Sequence, residues 1–231
     1  MTERINLMTV CTDAYHMIYA RKLIKRFCEL TDFIVQPYCI TDRPLEIDDI
    51  AVPLEAHYKG WWNKCALYNE RMPAGWNVYL DIDNVLIKNF DDVISFAIKK
   101  NKKMAMLSDS IMWMNNKYCS SFMIYETGRM HDIYERFTRT YAKIKDFEGG
   151  DQVWTGKYVK EHEVCYLDEE YDNKFKQNLK FNLAKRVMGN YVYPEYLLNS
   201  VKIVDCGGRP KPHELEHLRY IKENWHEVDA Q

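Results

Sequence analysis

Val78-Tyr79-Leu80-Asp81-Ile82-Asp83-Asn84 is the stretch on which the reading of this chain turns. Three apolar residues of a short strand run directly into two carboxylates separated by one isoleucine. Ionised carboxylates at the end of a buried strand are costly unless a cation or hydrogen bonds compensate them. Two hard oxygen ligands that leave coordination positions open suit Mg²⁺ or Mn²⁺, with substrate phosphates and water filling the rest. Read without context, Asp-x-Asp is only a polar strand end that caps the next turn of the chain. The apolar run before it and Asn89-Phe90-Asp91-Asp92 after it favour the metal reading.

Outward from that stretch, strands and helices alternate. Residues 5–11 (INLMTVC) predict a first strand, and Thr12-Asp13 opens a helix with Met17, Ile18, Leu23, Ile24 and Phe27 at helical spacing. Residues 33–41 predict a second strand, where Pro37 argues for an edge or a bulge. Helical segments are expected at 62–71, 91–100, 131–145, from Asp151, and at 214–225. Further strands are expected at 103–108, 118–125 and 201–205, and 162–200 reads as irregular and aromatic-rich. The alternation predicts an α/β fold with a largely parallel sheet, in which ligands sit at the carboxyl ends of strands. Thr12 and Asp13, Asp81 and Asp83, and Asp205 all fall at such ends.

Composition sets the outer bounds. The chain has 231 residues, suited to one domain, with 9 Gly and 7 Pro, too few for long linkers or low-complexity character. Lys and Arg number 32 against 34 Asp and Glu, so no basic excess points to nucleic acid. No uninterrupted apolar run exceeds four residues, so no membrane-spanning helix is expected. No apolar leader follows Met-Thr-Glu-Arg, so a cleaved signal is not expected either. Seven scattered cysteines without a C-x-x-C pair fit reduced, buried thiols and a cytoplasmic setting, with peripheral membrane contact left open.

Other motifs carry weaker signals. Gly207-Gly208-Arg209-Pro210-Lys211-Pro212 follows a strand: glycines let backbone approach a phosphate, and prolines hold Lys211 in place. It also reads as a tight turn with a solvated lysine. Glu148-Gly149-Gly150-Asp151-Gln152 leads into a helix and reads equally as a cap. Trp61-Trp62-Asn63-Lys64 reads as core or rim, with Lys64 able to face the cleft of Asp81. His213-Glu214-Leu215-Glu216-His217 matches H-E-x-x-H, whose two imidazoles share a helix face in zinc hydrolases, although a solvated, charged last helix describes it as well.

In order and spacing, these blocks resemble a glycosyltransferase of the GT-A fold, similar to family 8 and its glycogenin-like members. The resemblance runs from about residue 5 to 213, through MTVCTDAY (8–15), WWNKCALYN (61–69), VYLDIDNVLIKNFDDV (78–93), CSSFMIYE (119–126), FEGGDQ (147–152) and KIVDCGGRPKP (202–212). It implies a single GT-A, Rossmann-like domain with a mainly parallel central sheet flanked by helices. Residues 1–110 would form the nucleotide-binding half and 111–231 the acceptor-side half. It implies a metal-dependent transferase that moves a sugar, with retention, from a nucleoside-diphosphate sugar such as a UDP-sugar to an unidentified acceptor, expected to be a carbohydrate. Asp81 and Asp83 would bind Mn²⁺ (or Mg²⁺). Thr9, Cys11, Thr12 and Tyr15 would cradle the uridine, and the Ile82 backbone would contact the ribose. Lys64, Ser120 and Glu148 would hold the donor sugar, with Asp151 and Gln152 beside the anomeric carbon. The Gly208 backbone and Lys211 would grip the diphosphate. The chain departs from the pattern at Asp205, where relatives carry a metal-binding His and where the Asp carboxylate would serve as the third Mn²⁺ ligand, and at Cys119, where they place an Asn. Two rival readings remain: a non-catalytic nucleotide-sugar or glycan binder on the same fold, and a zinc hydrolase built on His213 and His217.

Overall fold

A computed structural model describes residues 3–12, 15–46, 49–53, 58–108, 117–147, 149–175, 178–182, 201–206 and 211–225. A seven-stranded sheet is built from β1 (Arg4–Cys11), β2 (Ile34–Thr41), β3 (Ala51–Pro53), β4 (Trp76–Leu80), β6 (Met104–Ser108), β7 (Tyr118–Glu126) and β8 (Val164–Tyr166). Their order across the sheet is β3-β2-β1-β4-β7-β6-β8. β7 runs antiparallel to both of its neighbours, and the other six share one direction. A smaller sheet joins β5 (Asn84–Leu86), β10 (Val201–Asp205) and β9 (Asn178–Asn182), with β10 antiparallel to β5 and parallel to β9. The α-helices are α1 (Ile18–Leu30), α2 (Asp91–Lys100), α3 (His131–Ile144), α4 (Gly150–Gly156), α5 (Leu167–Phe175) and α6 (Arg219–Asn224).

The period-two alternation of the central strands makes two cores. Val78 and Leu80 of β4 face one side with Ile5, Leu7 and Phe122, where α1 supplies Leu23 and Phe27 and α2 supplies Val93 and Ile94. Tyr79 faces the other side with Met8 and Met123, covered by Trp62, Phe137 and Trp154. Both faces are therefore buried, as a mainly parallel sheet requires. None of the seven cysteines is in a disulfide: Cys28 is exposed and the others are buried.

Pro37 keeps the edge position expected of it, since β3 covers β2 only at Cys39–Thr41 and the proline lies before that ladder begins. Several expectations are corrected. The helical segment expected at 62–71 runs instead over Gly60–Tyr68, as a 3-10 helix. The stretch read as irregular contains β8, α5 and β9; residues 183–200 lie outside the described residues. The last helix is broken into a 3-10 turn at Pro212–Leu215 and α6, with Leu218 extended between them. The 3.6-residue period is lost there, so His213 and His217 do not share a helix face. Both are exposed, and the His213 ring is engaged by the Tyr19 hydroxyl. Among the described residues, no helix is long and apolar enough to cross a membrane.

Candidate active site

β4 delivers Leu80 to the sheet interior, and the chain then leaves the ladder. The Asp81 N–H donates to the Ser121 carbonyl at 2.9 Å, which fixes the exit of the strand next to β7. Because β7 is antiparallel, its beginning lies at the edge where β4 ends. Ser120 thus joins a carboxyl-end site from the opposite chain direction.

Lys64, from the 3-10 helix Gly60–Tyr68, ties this edge together. Its Nζ lies 2.9 Å from Asp81 Oδ1, 3.0 Å from Ser120 Oγ and 3.9 Å from Asp151 Oδ2. Ser120 Oγ donates to Asp151 Oδ2 at 3.2 Å, and its N–H donates to Gln152 Oε1 at 3.3 Å. The Tyr79 hydroxyl donates to Asp81 Oδ1. Burial works against the Lys64 charge, but the Asp81 and Asp151 carboxylates outweigh it and hold its pKa above the usual lysine value. Burial pushes the Asp151 carboxyl up, against the opposing pull of Lys64.

Asp83 has a different partner. Lys211 Nζ donates to its Oδ2 at 2.5 Å, and the Tyr15 hydroxyl lies 3.3 Å from the same oxygen. Lys211 also donates to Tyr15 Oη at 2.6 Å. Burial raises the Asp83 carboxyl, the Asp81 charge raises it further, and Asp205 adds to this against the lowering effect of Lys211. Asp205 reaches the site through the small sheet, where it pairs with Asn84, the residue after Asp83. Sequence spacing gives no hint of that pairing.

The cleft in front of these groups has a volume of about 390 Å³ and is lined by Val10, Thr12, Tyr15, Trp61, Lys64, Tyr79, Asp81, Ile82 and Asp83. Thr12 and Tyr15 line it. Thr9 and Cys11 do not. Strand alternation turns Val10 to the cleft and its neighbours to the interior, where Thr9 Oγ1 donates to the Leu80 carbonyl at 3.1 Å. Burial pushes the Cys11 thiol up to about 12. Cys119 is likewise buried, 3.3 Å from Ser121 Oγ. Glu148 and Gly208, with Asp13 and the 111–114 segment, lie outside the described residues.

Two contributors, Tyr79 and Arg43, had escaped the sequence reading. Tyr79 shares a strand face with Asp81, and its i, i+2 spacing was the available signal. Arg43 clamps the turn after β1 by donating to the carbonyls of Thr12 at 3.2 Å and Tyr15 at 2.5 Å. Trp61, 59% exposed, forms the rim, while Trp62 at 1% is core. Gly150 has φ +60°, and a Cβ there would lie 2.7 Å from Trp61 Nε1, so the rim and the start of α4 fit only through glycine.

The donor chemistry suits a hard divalent cation. Asp81, Asp83 and Asp205 are oxygen ligands whose like charges already oppose one another, and Asn84 Oδ1 beside them is buried without a hydrogen-bond partner. Among the described residues, however, no three such side chains are grouped so as to hold a metal as they stand. Asp81 is instead paired with Lys64, and Asp83 with Lys211.

The architecture matches that of solved glycosyltransferases. The chain is similar to the galactosyltransferase LgtC in complex with donor and acceptor sugar analogs, with a TM-score of 0.66 at 11% identity, covering 98% of this chain and 97% of that one. It is also similar to the glycosyltransferase GlyE of Streptococcus pneumoniae TIGR4, at 0.62 and 12%, over 92% of this chain and 56% of that one. A third is mouse xyloside xylosyltransferase 1, at 0.56 and 13%, over 90% and 100%. The fold is GT-A. No family model matches the chain, and no curated protein matches it in sequence.

Proposed function

We propose that this GT-A protein is a glycosyltransferase that moves a sugar from a nucleoside-diphosphate sugar, most simply a UDP-sugar, to a hydroxyl of a carbohydrate acceptor, with retention at the anomeric carbon. The observation that carries this reading is the pairing of β10 with β5, which sets Asp205 opposite Asn84 and within electrostatic reach of Asp83, next to the carboxyl edge of β4. The same edge holds two lysines and a cleft of about 390 Å³.

The reaction breaks the bond between the anomeric carbon and the phosphate oxygen and forms one to the acceptor oxygen; the nucleoside diphosphate leaves, and the acceptor hydroxyl's proton passes to its phosphate oxygen. Asp81, Asp83 and Asp205 would hold Mn²⁺ or Mg²⁺, which supplies Lewis-acid stabilisation of charge developing on the leaving phosphate. Lys211 and the Gly208 backbone would bind the diphosphate. Tyr15 and Thr12 would hold the base, with Ile82 beneath the ribose. Lys64 and Ser120, with Glu148, would orient the donor sugar against Asp151 and Gln152. Trp61 would line the acceptor side.

Donor turnover with Mn²⁺ tests the reading, using UDP-glucose, UDP-galactose and UDP-xylose. Asp83→Asn is expected to lower kcat/KM by about a hundredfold or more, as when one preorganised charge contact is lost. Equal turnover in variant and wild type would refute it. Manganese-dependent UDP binding without any sugar release would instead assign the cleft to a non-catalytic binder.

A further inference from the structure

Asp83 and Lys211 stand 128 residues apart and meet at 2.5 Å. The ammonium is held by Asp83 Oδ2 and by Tyr15 Oη at 2.6 Å. Both partners are shielded, with side chains 18% and 8% exposed. The backbone behind the lysine is fixed as well. Its N–H donates to Glu214 Oε2 at 2.6 Å, and buried Pro212 comes next in the chain.

A divalent ion takes carboxylate oxygens at about 2.0–2.6 Å, depending on the metal. The Lys211 ammonium already stands at that range on Asp83 Oδ2, and two cations that close repel strongly in a shielded site. The metal and Lys211 therefore compete for one oxygen. A lysine is a compact charge on a flexible stem, so it can trade one anion for another without moving the backbone.

We propose that Lys211 is a built-in competitor of the metal: in the ligand-free protein it occupies the cation position at Asp83, and an arriving diphosphate draws it away, so that metal and diphosphate enter together. The inference rests on the reading of the cleft as a metal and diphosphate site. Because binding coupling is reciprocal, each ligand tightens the other by the same factor through Lys211.

The test is direct Mn²⁺ titration, following free ion by electron paramagnetic resonance, with and without UDP. Salt at about 1 M shortens screening to about 3 Å, which removes long-range effects of a changed charge but leaves direct competition. Lys211→Met is expected to bind Mn²⁺ alone about tenfold more tightly than wild type, within the usual range of coupling factors, and to lose a similar part of the tightening by UDP. Lys211→Arg, which restores a cation at Asp83, is expected to return Mn²⁺ binding toward wild type. Unchanged or weaker Mn²⁺ binding by folded Lys211→Met overturns the proposal. Should that variant not fold, Tyr15→Phe, which loosens the ammonium without removing it, must tighten Mn²⁺ binding, and no change overturns the proposal equally. If wild type binds no Mn²⁺ even with UDP, the functional reading falls and the competitor role with it. If wild type binds Mn²⁺ with UDP but Lys211→Met shows no gain, only the competitor role falls.

Discussion

Gly150 couples the site to the backbone of α4. Its φ of +60° lies in the left-handed region, and the Trp61 indole occupies the space a Cβ would need. Gly150→Ala is expected to destabilise the fold by about 1 kcal/mol from the backbone alone, and by more from the clash. Thermal melting of that variant beside Gly150→Ala/Trp61→Ala measures the two parts: the double variant should recover the clash and keep the backbone cost. A single variant with the wild-type melting temperature would contradict the geometry. Tyr79 and Thr9 show the same dependence of side-chain role on strand face. One reaches Asp81 from the cleft side, and the other spends its hydroxyl on the Leu80 carbonyl.

At the scale of elements, β10 ties the site to α2. Buried Lys202 donates to the Asn89 carbonyl and to Asp92 Oδ1, both at 2.8 Å, and the Tyr171 hydroxyl of α5 donates to the other Asp92 oxygen. Burial works to raise the Asp92 carboxyl, but these hydrogen bonds outweigh it and hold it below the usual carboxylate range. A carboxyl depressed in the folded state contributes stability above its unfolded pKa, about 3.9, and that contribution is lost as pH falls through the depressed value. Asp92→Asn is therefore expected to melt lower than wild type at pH 7. Its melting temperature should also fall less as pH drops from neutrality to below the unfolded carboxylate value of about 3.9, through the range in which Asp92 takes up its proton. Parallel acid limbs in the two proteins would contradict this. The Asp92 side chain is half exposed, so the effect should be modest.

Across the whole molecule, the carboxyl edge of the large sheet and the small sheet meet at Asp83. A ligand bound only to the folded chain stabilises it by about 2.7 kcal/mol at a hundred times its Kd. For a chain of this length that corresponds to a rise in melting temperature of about 5–10 °C. UDP and Mn²⁺ added together are expected to give such a shift. Either added alone is expected to give much less, because Asp83 and Lys211 neutralise each other until both ligands arrive. Differential scanning fluorimetry of the four conditions checks this, and equal shifts from Mn²⁺ alone and from the pair would contradict it.

Local patterning carried much of this protein into view. Apolar runs of period two and stripes of helical period mark β1, β4, β7, α2 and α3, because burial of one face or both is written into neighbouring residues. The Asp81-Ile82-Asp83 end of a buried strand marks the site for the same reason: charge in that position demands a counter-charge. Four things were decided only by the tertiary structure. The register of β10 on β5 puts Asp205 next to Asp83, and no local pattern encodes a pairing between strands more than a hundred residues apart. The reversed direction of β7 brings Ser120 to the carboxyl edge. The choice between Thr9 and Val10 for the cleft wall, and the capture of Asp83 by Lys211, depend on which face each chain segment turns inward once the layers pack. Periodicity is a property of neighbours along the chain, whereas a site at a sheet edge is made by segments that become neighbours only on folding.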